Sequence, residues 1–516
     1  MEQKYDYNLG LLFSDVAKRN PNQVALKYPD GVKIQYQELE ILSNKIAWYI
    51  IGYGLKKGDL IAIFNNKSTF AFATMIACLK TGIIYTNLDV SSPFSRLQKI
   101  LTQARPVWLI NDFSDLVVVQ ELSRDLQIPV ISLNEDMVRL LESYSEATLP
   151  HLRWVTGANP AYLMFTSGST GFPKGAVISH QNLLNFIRWG QATFTVDTTD
   201  VFTNVNPIYF DNSVFDFYVS LFSGATLVPF STELSKDPHQ LVLAAEATAC
   251  TSWFSVPSML VYLLTTKALG PGRLPAIKRF IFGGEGFPKP KLKALYDAFK
   301  DAATLYNVYG PTECTCICSS YVIGSEDFDD LLNFAPLGYL APNFDYELLV
   351  EASQEVTNLG ELALKGPNVG LGYYNDPERT ADSFIQNPNN SGFLEIVYKT
   401  GDLVEVDEQG YLHFRGRCDN QIKHMGYRIE LEEVEAAFNS LDYVNESAVV
   451  YKKIGPGLGR ILAYVSLTQP VVEKEIHHQI GSLLPEYMVP HKIRILDHLP
   501  KNKNGKIDRT VLQEEA

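Results

Sequence analysis

Short, uninterrupted apolar runs recur at regular intervals along the first two-thirds of this chain, with helix-like segments between them. "DLIAIF" (Asp59 to Phe64) reads as a buried strand, and "STFAFATMIACLK" after it as a helix with Ser68 as N-cap. Helix-like "SRLQKILTQA" precedes the strand "PVWLIND", and "IKRFIFGGE" runs from strand into a glycine turn before the helix "KPKLKALYDAFKDA". A strand without polar alternation must be covered on both faces. Strands of that kind alternating with helices specify parallel α/β layering.

The pattern changes after about Asn343. "FDYELLV", "GELALKG" and "GYLHFRG" are short, glycine-punctuated strands, which predict a small β-rich, barrel-like module. Beyond "GRCDNQ" come an amphipathic helix (Glu430 to Asn439), the strands "ESAVVYKK" and "RILAYVSL", another helix and "HKIRIL". That tail of about 100 residues is long enough for an α+β core of its own. A chain of 516 residues exceeds what one core organises. We therefore expect a large N-terminal domain over 1–418 and a small C-terminal domain over 419–516. No internal repeat or low-complexity tract interrupts either.

A net charge of −14 argues against a broad nucleic-acid or anionic-membrane surface, but not against one anion held in a local cationic pocket. The start "MEQKYDYNLG" lacks a signal-peptide layout, and no apolar run approaches the roughly 20 residues that span a bilayer. Six cysteines are too few for a disulfide scaffold at this length, so the expected location is the cytoplasm. Cys314, Cys316 and Cys318 lack the two-residue gap of common zinc sites, and their alternation predicts a strand.

The stretch "MFTSGSTGFPKGAVIS" (Met164 to Ser179) follows the strand-like run "AYLMF". Its glycines let backbone N–H groups turn inward, its hydroxyls add donors, and Lys174 adds positive charge. That combination suits a polyphosphate. It is not a Walker A loop, because Pro173 precedes the lysine and Gly175 follows it.

The same stretch resembles the phosphate loop of the adenylate-forming superfamily, which holds acyl-CoA synthetases, luciferases and amino-acid adenylation domains. The windows "LKTGIIYTNLD", "FDNSVFD", "NVYGPTE", "GELALKGPNVGLGYY", "YKTGDL", "GRCDNQIKHMGYRIELEEVE" and "NGKIDR" match in the same order, from Tyr36 to Arg509. Within the superfamily the chain is most similar to amino-acid adenylation domains, the free-standing D-alanine–carrier protein ligases included. The resemblance implies ATP-dependent conversion of a carboxylate to an acyl-AMP, release of pyrophosphate, and transfer of the acyl group to a thiol.

It also implies roles for particular residues. Thr166, Ser167, Gly168, Ser169, Thr170, Gly171 and Lys174 would hold the β- and γ-phosphates, with Thr166 and Lys174 close to the chemistry. Glu313 would bind Mg²⁺. The adenine would lie against Tyr309, with Asn307 and the backbone of Gly283, Gly284 and Glu285 at its edge; Gly310 and Thr312 continue this nucleotide site. Asp402 would take both ribose hydroxyls, with Arg417 nearby. Lys506 would be a mobile catalytic lysine reaching between the substrate carboxylate and the α-phosphate, and Asp419 the hinge that lets the small domain close in two ways.

Asp211 in "FDNSVFD" matches the aspartate that pairs with a substrate α-ammonium in the amino-acid branch; aryl- and fatty-acid relatives lack it. Asn212, Phe215, Ser255, Ile281, Gly283, Val308, Cys316 and Ile317 would line the side-chain pocket, while Lys506 would meet the substrate at its carboxylate. None of the eight is charged, which implies an uncharged aliphatic or aromatic amino acid. D-alanine ligases commonly carry a cysteine where Gly283 stands, a departure that points away from D-alanine. The expected acceptor is the phosphopantetheine arm of a carrier protein, a separate one if the chain stands alone and a downstream one if it belongs to a larger synthetase. The competing readings are an acyl- or aryl-CoA ligase, against which Asp211 stands, and a nucleotide-binding pseudoenzyme, against which the retention of Lys174, Glu313, Asp402 and Lys506 stands.

Overall fold

The computed structural model describes residues 5–114, 116–168, 171–350, 358–455, 458–501 and 507–514. Two mixed sheets, both predominantly parallel, carry the first 340 residues. One contains, in spatial order, Val130–Ser132, Trp108–Asn111, Leu60–Phe64, Ile84–Leu88, Pro160–Thr166 and Lys174–Ser179. The other runs from Tyr339–Leu340 through Ser319–Val322, Thr304–Tyr309, Arg279–Gly283, Ser252–Ser255, Val201–Asn204 and Thr226–Pro229 to Val24–Lys27 and Lys33–Gln35. Every residue of Leu60–Phe64 and of Arg279–Gly283 is buried, as the apolar runs require.

The helices begin and end where local chemistry dictates. The Ser68 hydroxyl accepts the Ala71 N–H at the start of Thr69–Thr81, and Gly82 closes that helix with φ 72°. The antiparallel pair Pro160–Thr166 and Lys174–Ser179 puts Thr166 opposite Lys174, so the Gly/Ser/Thr stretch is the connection between two paired strands.

The β-rich module is an antiparallel five-stranded sheet of Asp345–Leu349, Leu359–Lys365, Phe384–Gln386, Ile396–Val406 and Leu412–Arg417. In the tail, the strands Val444–Gly455, Leu458–Leu467 and Lys492–Ile495 form a three-stranded sheet. Leu431–Asn439 and Glu473–Gly481 cover it around Ile429, Val434, Phe438, Val449, Ile476 and Ile493. The tail thus owns an apolar cluster of its own, as its length suggested.

The cysteine alternation is not a strand. Thr312–Cys314 is a 3₁₀ turn, and Thr315 and Cys316 follow at φ 64° and 72°, turning the chain back before Ser319–Val322 begins. Cys314, Cys316 and Cys318 are buried free thiols, and among the described residues no cluster of three or more metal-binding side chains occurs. Nor is any described helix long and apolar enough to cross a membrane.

Candidate active site

The carboxyl ends of Val201–Asn204, Ser252–Ser255, Arg279–Gly283 and Thr304–Tyr309 face a cavity of about 440 Å³, the position at which open parallel sheets bind ligands. Thr166 and Ser167 border it from the Gly/Ser/Thr stretch, and Gln421, Lys423 and Arg428 from the tail. Of the expected side-chain pocket, Asp211, Asn212, Ser255, Gly283, Val308, Cys316 and Ile317 line this cavity. Phe215 and Ile281 do not; both are fully buried behind the wall, and the Phe215 ring meets Phe254 edge-on at 5.1 Å. Phe215 opens a π-helical segment, Phe215–Val219, just downstream of Asp211. This winding turns its ring into the core.

The Asp211 carboxylate accepts a 2.5 Å hydrogen bond from the Thr312 hydroxyl and has no cation within ion-pair distance among the described residues. Burial pushes its pKa up, a tendency that the Thr312 bond and the charges of Arg428 and Lys423 oppose and the charge of Glu313 reinforces. Such a carboxyl is poised for a cation that arrives with a ligand.

Glu313 is fully buried, accepting from the Tyr373 hydroxyl at 2.8 Å and from Arg428 Nη1 at 2.8 Å, with Lys174 Nζ at 3.8 Å. Burial alone would raise its pKa, but Arg428 and Lys174 outweigh it and hold the carboxyl down at about 2. Lys174 also lies 3.6 Å from Glu430 and 5.3 Å from the Tyr373 ring centre. Burial and the neighbouring Arg428 lower its pKa.

The loop itself is built for close approach. A Cβ added at Gly168 would stand 2.0 Å from the Phe172 carbonyl oxygen, and Gly171 turns with φ 76°. Among the described residues the Thr166 hydroxyl is buried without a hydrogen-bond partner, and the Gly168 N–H donates to a glutamate of the tail. An orphaned hydroxyl, an inward N–H and a buried lysine fit the tail of a nucleoside triphosphate. Ser169, Thr170 and Lys506 lie outside the described residues.

On the nucleoside side, Tyr309 donates its hydroxyl to Asp402 at 2.6 Å, and Arg417 Nη1 holds the other Asp402 oxygen at 2.6 Å. Asp402 and Arg417 are directly paired across two strands. Asn307, Gly284, Glu285 and Tyr309 border a slot of about 60 Å³ next to the main cavity. Gly310 and Thr312 line the main cavity beside Tyr309. Glu285 does more than offer backbone, since its carboxylate accepts from the Ser258 N–H at 2.7 Å and from the Gly426 N–H of the tail at 2.9 Å. Asp419 sits between Leu412–Arg417 and Gln421–His424, where its carboxylate pairs with Arg417.

Four groups here were not singled out in the sequence. Lys423 holds its ammonium 5.5 Å from the Tyr309 ring centre. Arg428 pairs with Glu313, Glu433 accepts from Gly168, and Lys67 borders the cavity with its ammonium on the Asn204 and Phe230 carbonyls at 2.7 and 3.0 Å. The first three belong to the window "GRCDNQIKHMGYRIELEEVE", in which the resemblance gives roles only to Arg417 and Asp419. Their importance depends on where the tail docks. Lys67 stands at φ 59° in an unremarkable polar turn, with no sequence signal.

Comparison with known proteins decides what this constellation belongs to. The profile of the AMP-binding enzymes matches residues 13–374, well over half the chain, and that of the AMP-binding enzyme C-terminal domain matches 433–506. The chain is an AMP-binding enzyme. This AMP-binding enzyme is 31% identical over 513 residues to a D-alanine–D-alanyl carrier protein ligase of Listeria monocytogenes, with 97% of each chain covered. It is 32% identical over 513 residues to surfactin synthase subunit 2 of Bacillus subtilis; that match takes 98% of this chain but spans only 14% of the synthase. In three dimensions it overlays an artificially fused adenylation–PCP di-domain NRPS from Klebsiella oxytoca with a TM-score of 0.80. The overlay covers 95% and 94% of the two chains at 24% identity, and that likeness is one of fold.

Proposed function

We propose that this enzyme uses ATP to activate an amino acid as its aminoacyl-AMP, releases pyrophosphate, and passes the acyl group to the phosphopantetheine thiol of a carrier protein. The single observation that carries the amino-acid reading is Asp211, a cavity-lining carboxylate that, among the described residues, is held by the Thr312 hydroxyl and by no cation at ion-pair distance. An unpaired buried carboxylate costs several kcal/mol, and a substrate α-ammonium would compensate that cost. The relative named as a carrier protein ligase and the one named as a surfactin synthase subunit support the same class.

Two anions must meet in the first step, so positioned cations and donors are the main lever. Lys174, the Gly168 N–H and the Thr166 hydroxyl are set to take phosphate oxygens. Lys506 would supply the remaining positive charge between carboxylate and α-phosphate. Mg²⁺, held by Glu313 and phosphate oxygens, would neutralise charge on the triphosphate; one carboxylate plus phosphates is a customary donor set for that ion. Asp402 would hold the ribose and Tyr309 the adenine. We place the boundary between the large and small domains at Asp419, and the enzyme in the cytoplasm.

The pocket accommodates an uncharged aliphatic or aromatic side chain. At Gly283 a Cβ would stand 2.3 Å from the Val308 carbonyl oxygen, so these strands exclude the cysteine common in D-alanine ligases unless they separate. ATP–pyrophosphate exchange over amino, aryl and fatty acids tests the class. Exchange is expected with one or a few uncharged amino acids; exchange with aryl or fatty acids alone would replace this reading by that of a CoA ligase.

A further inference from the structure

Two cations from outside the stretch between Thr166 and Lys174 hold its returning limb. Lys99, on the helix Phe94–Ala104, donates from Nζ to the Gly171 carbonyl at 3.2 Å and stands 4.8 Å from the centre of the exposed Phe172 ring. Arg379, on the short helix Pro377–Ser383, donates from Nη1 to the Phe172 carbonyl at 3.3 Å. The same nitrogen lies 3.2 Å from Asp376 Oδ2, and Asp376 is the residue whose side chain caps that helix. Across the turn, the Gly168 carbonyl accepts the Gly171 N–H at 3.0 Å. The carbonyls of Gly168, Gly171 and Phe172 are therefore all engaged.

A loop that binds phosphate must keep its carbonyl oxygens away from the ligand, yet a turn rich in glycine can rotate a peptide unit at little cost. In a planar trans peptide the C=O and the N–H that follows it point in opposite directions. Fixing the Gly171 carbonyl on Lys99 thus also fixes the direction of the Phe172 N–H. The next unit has no N–H, because Pro173 follows, so a Phe172 carbonyl turned toward phosphate would add repulsion with nothing to offset it. Arg379 holds that carbonyl. The crowding is local: a Cβ at Gly168 would meet the Phe172 carbonyl oxygen at 2.0 Å and Arg379 Nη1 at 3.4 Å. Neither cation borders the main cavity, so both act on the ligand through the loop.

Resting on the triphosphate-binding role given to this loop, we propose that Lys99 and Arg379 are positioning residues that hold the Gly171 and Phe172 carbonyls turned away from the ligand, so that the loop meets the β- and γ-phosphates already shaped. Neither touches a reacting atom. Without them ATP must order the loop as it binds, and that cost falls on ligands that carry those phosphates and not on AMP.

Calorimetric titration of magnesium ATP and, separately, of AMP into the full chain tests this. Lys99→Met and Arg379→Gln are each expected to weaken magnesium ATP about fivefold and the double variant about 25-fold, as for loss of one and two hydrogen bonds. AMP binding should stay unchanged. Lys99→Arg and Arg379→Lys keep the charge and should bind magnesium ATP as the wild type does. Wild-type affinity for magnesium ATP in the double variant, or in both single variants should the double fold poorly, overturns the proposal. So does a loss of AMP affinity in step with that of ATP, which would mark a general loosening of the fold, and so does a loss in the charge-keeping variants as large as in the uncharged ones. Lys174→Ala should lose magnesium ATP and keep AMP. That loss beside an unaffected double variant overturns the clamp alone, whereas undiminished ATP binding by Lys174→Ala overturns the loop assignment itself.

Discussion

Asp211→Ala is expected to lower kcat/KM for the amino acid by roughly 150- to 4,000-fold, the equivalent of about 3–5 kcal/mol for removing one partner of a buried charge pair. Most of this loss should appear in the amino-acid dependence, with ATP binding little changed, because Asp211 lines the cavity as the group proposed to meet the substrate's α-ammonium. The pH profile should carry the same signature. Burial raises the Asp211 pKa, and only the carboxylate form pairs with an ammonium. The wild type should therefore lose affinity for its amino acid as pH falls through that raised value, above the ordinary carboxylate range. Asp211→Asn should be weak throughout, with no inflection there. Initial rates of pyrophosphate exchange across pH check both; an unchanged kcat/KM in Asp211→Ala rejects the assignment.

Lys506→Ala is expected to reduce adenylate formation about 10²- to 10³-fold, the size of effect seen when one preorganised group is removed from a developing charge. The same variant should bind ATP nearly as well as the wild type and should accept a pre-formed aminoacyl-AMP for transfer, since the role proposed for the lysine is confined to the first step. Pyrophosphate exchange measured beside thioester formation from supplied adenylate separates the two. Near-normal exchange refutes the role given to Lys506.

How much of this was legible beforehand depends on how local each feature is. The layered α/β body was, because fully apolar runs such as Leu60–Phe64 leave a chain few alternatives and Ser68 marks a helix start by its own hydrogen bond. The stretch from Thr166 to Lys174 stands out as a candidate phosphate loop, because glycine, hydroxyl and lysine must sit close in sequence to act together. The cysteine triplet misled: alternation is a strand signal only where φ stays extended, and Thr315 and Cys316 do not keep it there. Phe215 and Ile281 were placed in the pocket wall, whereas aromatic packing against Phe254 draws the Phe215 ring into the core. Arg428, Glu430 and Glu433 lay unread inside a motif already quoted. Their charges gain meaning only from Glu313, Lys174 and Gly168, more than 100 residues away, and no local pattern encodes that meeting.

All of these expectations rest on the stretch between Thr166 and Lys174 being where triphosphate is held. A crystal structure with a non-hydrolysable ATP analogue and Mn²⁺, located by anomalous scattering, tests that directly. We predict the terminal phosphates against the Gly168 N–H and Lys174, the metal on Glu313, and Arg428 and Glu433 withdrawn from both. Phosphates bound elsewhere, with Arg428 still on Glu313 and Glu433 still on Gly168, would contradict it.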